Sequence, residues 1–176
     1  MTEAVPLFYW DACILIEYVK RENVAPQKRH ALQRLLLSNK NRANAICTSS
    51  ISHLECLPKK LTQDDASREA EYMSMFGTRH FYEVPINAPV ILLAREIRDY
   101  YFREGDQKTS IHYRMMSLGD SIHLATAIIE GATAFHTRDG NKKGGNVPLL
   151  GLPQASPLGK IAGRYELDVV TAQVPR

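Results

Sequence analysis

A chain of 176 residues with 44% hydrophobic and 23% charged residues has the size and composition of one soluble domain, long enough to bury a core without metal or disulfide staples. No apolar run approaches the roughly 20 residues of a membrane span, and Glu3, Asp11 and Glu17 interrupt an N-terminal stretch that has no basic start, so a cytoplasmic protein without a signal peptide is expected. Three cysteines, Cys13, Cys47 and Cys56, are an odd number without a C-x-x-C pair, which argues against a disulfide framework or a thiolate zinc site and for buried thiols.

Residues 6–10 read as a strand, with Asp11 directly after it and an apolar helix over about 12–20. Asp11 is there either an N-cap or a site carboxylate. An amphipathic outer helix is expected over 26–38, with Leu32, Leu35 and Leu36 on one side. Residues 45–48 are apolar enough for a second strand, and 49–57 read as a helix that carries Glu55. Ser52-x-x-Glu55 matches a capping box, but Pro58 favours a helix begun near Ser49 that presents Glu55 instead. A long polar helix should open at Thr62 and run towards Phe76, stopped by Gly77. A third strand over 81–86 is followed by a helix starting at 87–90, whose stripe of Val90, Leu93, Ala94, Ile97 and Tyr101 is core. Arg98, off that stripe, is a candidate phosphate contact. The polar connection over 104–117 is long enough to hold an extra helical turn.

Residues 118–129 read as an otherwise apolar, buried helix with a single carboxylate, Asp120, at its start. A short strand at 134–138 leads to a second acid, Asp139, in an Asp-Gly turn. Beyond it lie six of the ten glycines and four of the nine prolines, a loop-rich extension over 151–176 with one possible edge strand near 167–170. No internal repeat or long linker appears, so the whole chain, 1–176, is expected as a single domain with its core over about 6–150.

Four acids thus follow strands or open helices: Asp11, Glu55, Asp120 and Asp139. Where helices and strands alternate, such points converge on the carboxyl edge of a parallel sheet. Hard oxygen ligands of this kind suit Mg²⁺ or Mn²⁺, and a pair of such ions can activate water and stabilise the leaving oxygen of a phosphodiester. Net charge is +3, but with these four acids set aside 22 basic residues face 15 acidic ones, a balance of +7. A basic surface around an acidic hole suits a polyanion. Lys142 and Lys143, just past Asp139, join Arg98 as expected contacts to its phosphates. The six histidines show no metal spacing and are expected to be structural or surface residues.

The segments Asp11-Ala-x-x-Leu15-Ile16, Ser52-x-x-Glu55-Cys-Leu, Gly119-Asp120-Ser-Ile-His-Leu-Ala-Thr-Ala and Thr137-Arg-Asp139, in this order and over about residues 6–150, resemble those of PIN-domain ribonucleases. The likeness is to the VapC-type toxins of bacterial toxin-antitoxin pairs. It implies a three-layer α/β/α sandwich with a mainly parallel sheet, hydrolysis of RNA at a Mg²⁺ or Mn²⁺ site, a homodimer and an antitoxin protein as partner. In that reading Asp11, Glu55 and Asp120 hold the principal metal directly or through water. Asp139 completes the pocket or supports a second ion, and Thr137 lies just outside the ligands. The long connection before Asp120 and the Gly/Pro-rich extension depart from the smaller toxins. An alternative is a PIN-like module that binds RNA or protein without cutting, against which the full set of acids argues. A receiver-type or small-molecule α/β domain would want a phosphate loop, and neither G-x-G-x-x-G nor a P-loop is present.

Overall fold

Five short strands carry apolar side chains on both faces, the pattern of a sheet covered by helices on both sides. In the computed structural model, which describes residues 5–21, 26–62, 65–78, 80–102, 115–140, 147–152 and 159–172, they are β1 (Leu7–Trp10), β2 (Ala45–Ser49), β3 (Phe81–Val84), β4 (Ala134–His136) and β5 (Asp168–Val170). The sheet order is β3-β2-β1-β4-β5, and every pairing is parallel. The expected α/β/α sandwich is therefore what the chain forms.

The two-residue period of a strand sorts its side chains into two cores. Phe8, Trp10, Ile46 and Phe81 pack with Ile14, Leu15 and Val19 of α1 (Ala12–Lys20), Leu32 and Leu35 of α2 (Pro26–Lys40), Leu61 of α4 (Pro58–Leu61) and Tyr72 of α5 (Ser67–Ser74). Tyr9, Cys47, Val84, Phe135 and Val169 face the other side, against α6 (Ala88–Tyr101) and α7 (Leu118–Ile129). Between β2 and α4 lies one turn, α3 (Ser52–Glu55). From β1 the chain winds to β2 and β3 on one side, then returns to β4 and β5 on the other. The carboxyl ends of β1 and β4 thus flank a topological switch point, where open α/β sheets place their ligands.

Local chemistry departs from the sequence reading in three places. The helix expected from Thr62 to Phe76 is shorter, α5 alone, and a separate turn precedes it: Pro58 starts α4, and the Thr62 hydroxyl closes that turn on the Pro58 carbonyl at 2.9 Å instead of opening a new helix. α5 starts separately, where Asp65 Oδ1 accepts from the Ser67 amide and hydroxyl at 2.9 and 2.7 Å. The helix expected over 49–57 shrinks to α3, since β2 continues through Ser49. The extension is more than loop: Leu152, Ile161, Leu167 and Val169 are buried in the core of α6 and α7, and Tyr101 Oη accepts the Ala162 amide at 3.0 Å. The extra turn expected in the connection before Ser117 falls on residues 103–114, outside the described residues.

His136, at the end of β4, stacks on Phe8 with ring centroids 5.2 Å apart. Burial alone pushes its imidazole down to about 4. A histidine kept neutral in the fold binds fewer protons folded than unfolded once pH drops below its ordinary value near 6.5, so its contribution to stability is intact above that pH and lost as pH falls towards 4. The loss should reach roughly 3 kcal/mol. Chemical denaturation at pH 7 and pH 4.5 should show a drop smaller by about 2 to 3 kcal/mol in His136→Leu than in the parent chain. Equal drops would assign the acid limb to other groups.

Candidate metal centre

Pairing of Trp10 with His136 sets the next residues, Asp11 and Thr137, side by side at the switch point. Asp11 occupies the N-cap position of α1, yet its side chain caps nothing. Its Oδ2 instead accepts from Thr137 Oγ1 at 2.7 Å and from the Cys13 thiol at 3.1 Å. The cysteines are free, and burial raises all three thiols above their ordinary range. Cys13, which also accepts the Arg138 amide at 3.2 Å, is therefore a neutral donor to Asp11. With Oδ2 so occupied, Oδ1 faces the pocket. Arg138 itself pairs with the buried Glu17 of α1, tying the loop after β4 to that helix.

Glu55 ends α3, and the capping box is not formed: Ile51 is the cap residue, without a side-chain bond. Ser52 is buried and bonds the Thr48 hydroxyl at 2.6 Å. The Glu55 carboxylate lies against the first turn of α7, so close that a Cβ on Gly119 would stand 2.2 Å from its Oε1. Glycine at that position is what gives the carboxylate its place.

Asp120 sits in that same first turn. Ser117, not Asp120, caps α7, its Oγ accepting the Asp120 amide at 3.0 Å. The Asp120 carboxyl is raised to about 6 by burial first, opposed by the Ser117 hydroxyl, and pushed further up by the charges of Asp11 and Asp139. Asp139 follows β4 in a loop, its amide bonded to Thr137 Oγ1 at 3.1 Å and its Oδ2 accepting the Leu149 amide at 3.3 Å. One hydroxyl, that of Thr137, thus tethers two acids.

The sequence reading took His123 for a structural or surface residue; it is buried, and it lies beside the acids. Its ring is fully buried, with Nε2 2.9 Å from Glu55 Oε2 and 3.6 Å from Asp11 Oδ1. Nδ1 lies 2.6 Å from Tyr9 Oη, which also accepts the Ser49 amide at 2.9 Å. Burial alone would lower this imidazole, but the Glu55 hydrogen bond and the charges of Asp11, Glu55 and Asp120 outweigh it and hold His123 above its ordinary value. A signal was available: Asp120-x-x-His123 is the i, i+3 spacing that puts a carboxylate and an imidazole on one helix face. Asp11, Glu55 and His123 each offer a ligand atom within 4.8 Å of the others, a spread that one small cation can bridge. Asp120 and Asp139 stand outside this tight group. Of the expected RNA contacts, Arg98 donates Nε to the Met116 carbonyl at 2.8 Å, bracing the approach to α7. Lys142 and Lys143 lie outside the described residues.

Against this geometry stand the comparisons with known proteins. The family model described as "PIN domain" matches residues 8–143. The chain belongs to the PIN-domain family. The crystal structure of VapC20 from Mycobacterium tuberculosis, described as a sarcin-ricin loop cleaving toxin, superposes with a TM-score of 0.53 at 13% identity, covering 76% of this chain and 91% of the other. At that identity the likeness is one of fold. No curated protein sequence matches significantly. In this PIN domain all four acids named from sequence gather about the switch point: Asp11, Glu55 and the second-turn His123 at its centre, Asp120 and Asp139 at its margin.

Two outcomes follow from the crowding. Because Asp120 has a folded pKa near 6 and an unfolded one near 4, stability is highest below the lower value and falls as pH rises through the higher. In EDTA at pH 7.5, Asp120→Asn should melt about 5 °C above the parent chain, with the gap closing near pH 4; equal melting at pH 7.5 would mean that Asp120 carries no penalty. Gly119→Ala, at a helical position, should match or exceed parental stability by up to ~1 kcal/mol. It should also displace Glu55 and weaken Mn²⁺ binding about tenfold by calorimetry, the scale on which supporting residues of metal sites act. Parental Mn²⁺ affinity in that variant would show that Glu55 is not held by the missing Cβ.

Proposed function

We propose that this protein is a divalent-metal-dependent endoribonuclease and serves as the toxin of a toxin-antitoxin pair. The observation that supports the reading is the grouping of Asp11, Glu55 and His123 ligand atoms within 4.8 Å at the switch point of a PIN fold, with Asp120 near enough to Asp11 and Asp139 for their charges to raise it. Mg²⁺ or Mn²⁺ in such a site supplies Lewis-acid polarisation of a phosphodiester and a water acidic enough to act as nucleophile near neutral pH. Asp11 and Glu55 hold the ion, and Asp120 and Asp139 complete the pocket. Thr137 orients Asp11 and the Asp139 loop. The surrounding basic excess favours a polyanion, and lysines such as Lys142 and Lys143 position its phosphates without reading its bases. Arg98, committed to Met116, contributes less.

RNA is the favoured substrate, and the description of VapC20 as cleaving the sarcin-ricin loop supports a looped or single-stranded target. A protein partner is supported by the apolar groove between α6 and α7, about 300 Å³, whose lining includes Ile91, Ala94, Phe102, Leu118 and Ile122. That groove suits an antitoxin segment or a second copy of the chain better than the faces of α2 and α5. Among the described residues no helix is long and apolar enough to cross a membrane.

Purified protein incubated with a stem-loop RNA and Mn²⁺ should yield discrete fragments, and excess EDTA should abolish them. Asp11→Asn should lower the rate by at least about a hundredfold, the scale of losing an electrostatic contact made at the transition state. Cleavage that survives thorough chelation would reject the metal-dependent reading, and binding of intact RNA without cleavage in either metal would favour the non-catalytic module.

A further inference from the structure

A buried imidazole aimed between two carboxylates is more than those carboxylates need for support. We propose that His123 is itself a ligand of the metal centre through Nε2, making the site a mixed nitrogen and oxygen one that selects a first-row transition ion such as Mn²⁺ over Mg²⁺. This rests on the nuclease reading above and adds to it the class of cofactor.

The geometry fits a shared ion. Ligand atoms around a cation with bonds of about 2.1 Å stand roughly 3.0 Å apart when adjacent and about 4.2 Å when opposite. Nε2 is 2.9 Å from Glu55 Oε2 and 3.6 Å from Asp11 Oδ1, and all three donors fall within 4.8 Å. The ring has no exposed surface, so it is not a passing neighbour of the pocket but part of its wall.

The other nitrogen is prepared for the role. Metal-bound histidines hold their second ring nitrogen in a hydrogen bond that fixes orientation and tautomer. Here Nδ1 meets Tyr9 Oη at 2.6 Å, and Tyr9 is fully buried. That hydroxyl receives the Ser49 amide and is also in hydrogen-bond contact with Thr48, whose Oγ1 bonds Ser52 Oγ at 2.6 Å. Hydroxyls can turn. With the row in one sense, Tyr9 donates to Nδ1 and Nε2–H donates to Glu55. With the row reversed, Nδ1–H donates to Tyr9 and the Nε2 lone pair faces the pocket. The same residues therefore support an empty site and a filled one without moving a heavy atom. Imidazole favours transition ions, whereas Mg²⁺ prefers oxygen and keeps its water.

The test is pulsed electron paramagnetic resonance on the full chain loaded with Mn²⁺, prepared with natural-abundance and with ¹⁵N-labelled histidine. Direct coordination gives a nitrogen coupling of one bound imidazole that changes on labelling, and His123→Gln should lose it. That variant keeps an amide able to donate to Glu55, so if His123 only positioned Glu55 it would bind metal like the parent. The expected result is Mn²⁺ affinity at least about tenfold weaker with Mg²⁺ affinity changed less than about threefold. Should His123→Gln fail to fold, the labelled parental protein still decides. Mn²⁺ bound without histidine coupling, or with coupling retained in the variant, overturns the ligand role and leaves the carboxylate site standing. No Mn²⁺ binding at all overturns both.

Discussion

Everything at the carboxyl edge of the sheet depends on keeping anions out of water without neutralising them one by one. Taking a carboxylate from water is costly unless hydrogen bonds replace its hydration, and Asp11 is only 5% exposed. The replacement comes from a hydroxyl and a thiol on the same oxygen. Thr137 is central to it. Its hydroxyl donates to Asp11 and accepts from the Asp139 amide, while its own amide donates to the Val170 carbonyl at 3.0 Å. A single side chain thereby couples β1, the loop after β4, and β5.

The rest of the fold serves to aim groups from distant parts of the chain at that edge. α7 is packed against α6 and the sheet through Leu124, Ala125 and Ala127, which anchors the turns before them. From there Asp120 and His123 project one turn apart, and Gly119 leaves room for a carboxylate that arrives from α3. Site residues sit at element ends whose interiors are packed, which holds the geometry better than a free loop would. The opposite sheet face takes no part in the chemistry beyond carrying α1, whose Glu17 anchors Arg138 beside the site.

Fold class and the four acids were legible because both rest on local pattern. Apolar runs of strand length alternating with helices point to a parallel sheet, and an acid directly after a strand ends up at its carboxyl edge whatever the strand order. The place of His123 beside the acids was not legible, because it comes from Glu55, 68 positions away, and from Tyr9, which in sequence is one more core aromatic. Gly119 reads locally as a helix weakener, and only the arrival of Glu55 explains it. The separate turn of α4 before the shortened 62–76 helix was hidden because Pro58 can end one helix or begin another. In the extension, Leu152, Ile161, Leu167 and Val169 are too scattered among glycine and proline to show a period, so their burial is visible only once α6 is in place.

The bond from the Thr137 amide to Val170 also sets an order of events during synthesis. A chain emerging from the ribosome can assemble β1, β2 and β3 early, since their pairings need only the first half of the sequence. β4 has one neighbour until β5 is made, and the hydroxyl that positions two acids hangs on a backbone whose amide partner lies 33 residues downstream. Parallel pairing across such a separation is paid for in loop-closure entropy before it returns anything. The nascent chain thus lacks this fixed placement of its acids for most of its synthesis, and the arrangement is complete only when nearly the whole described chain has been delivered.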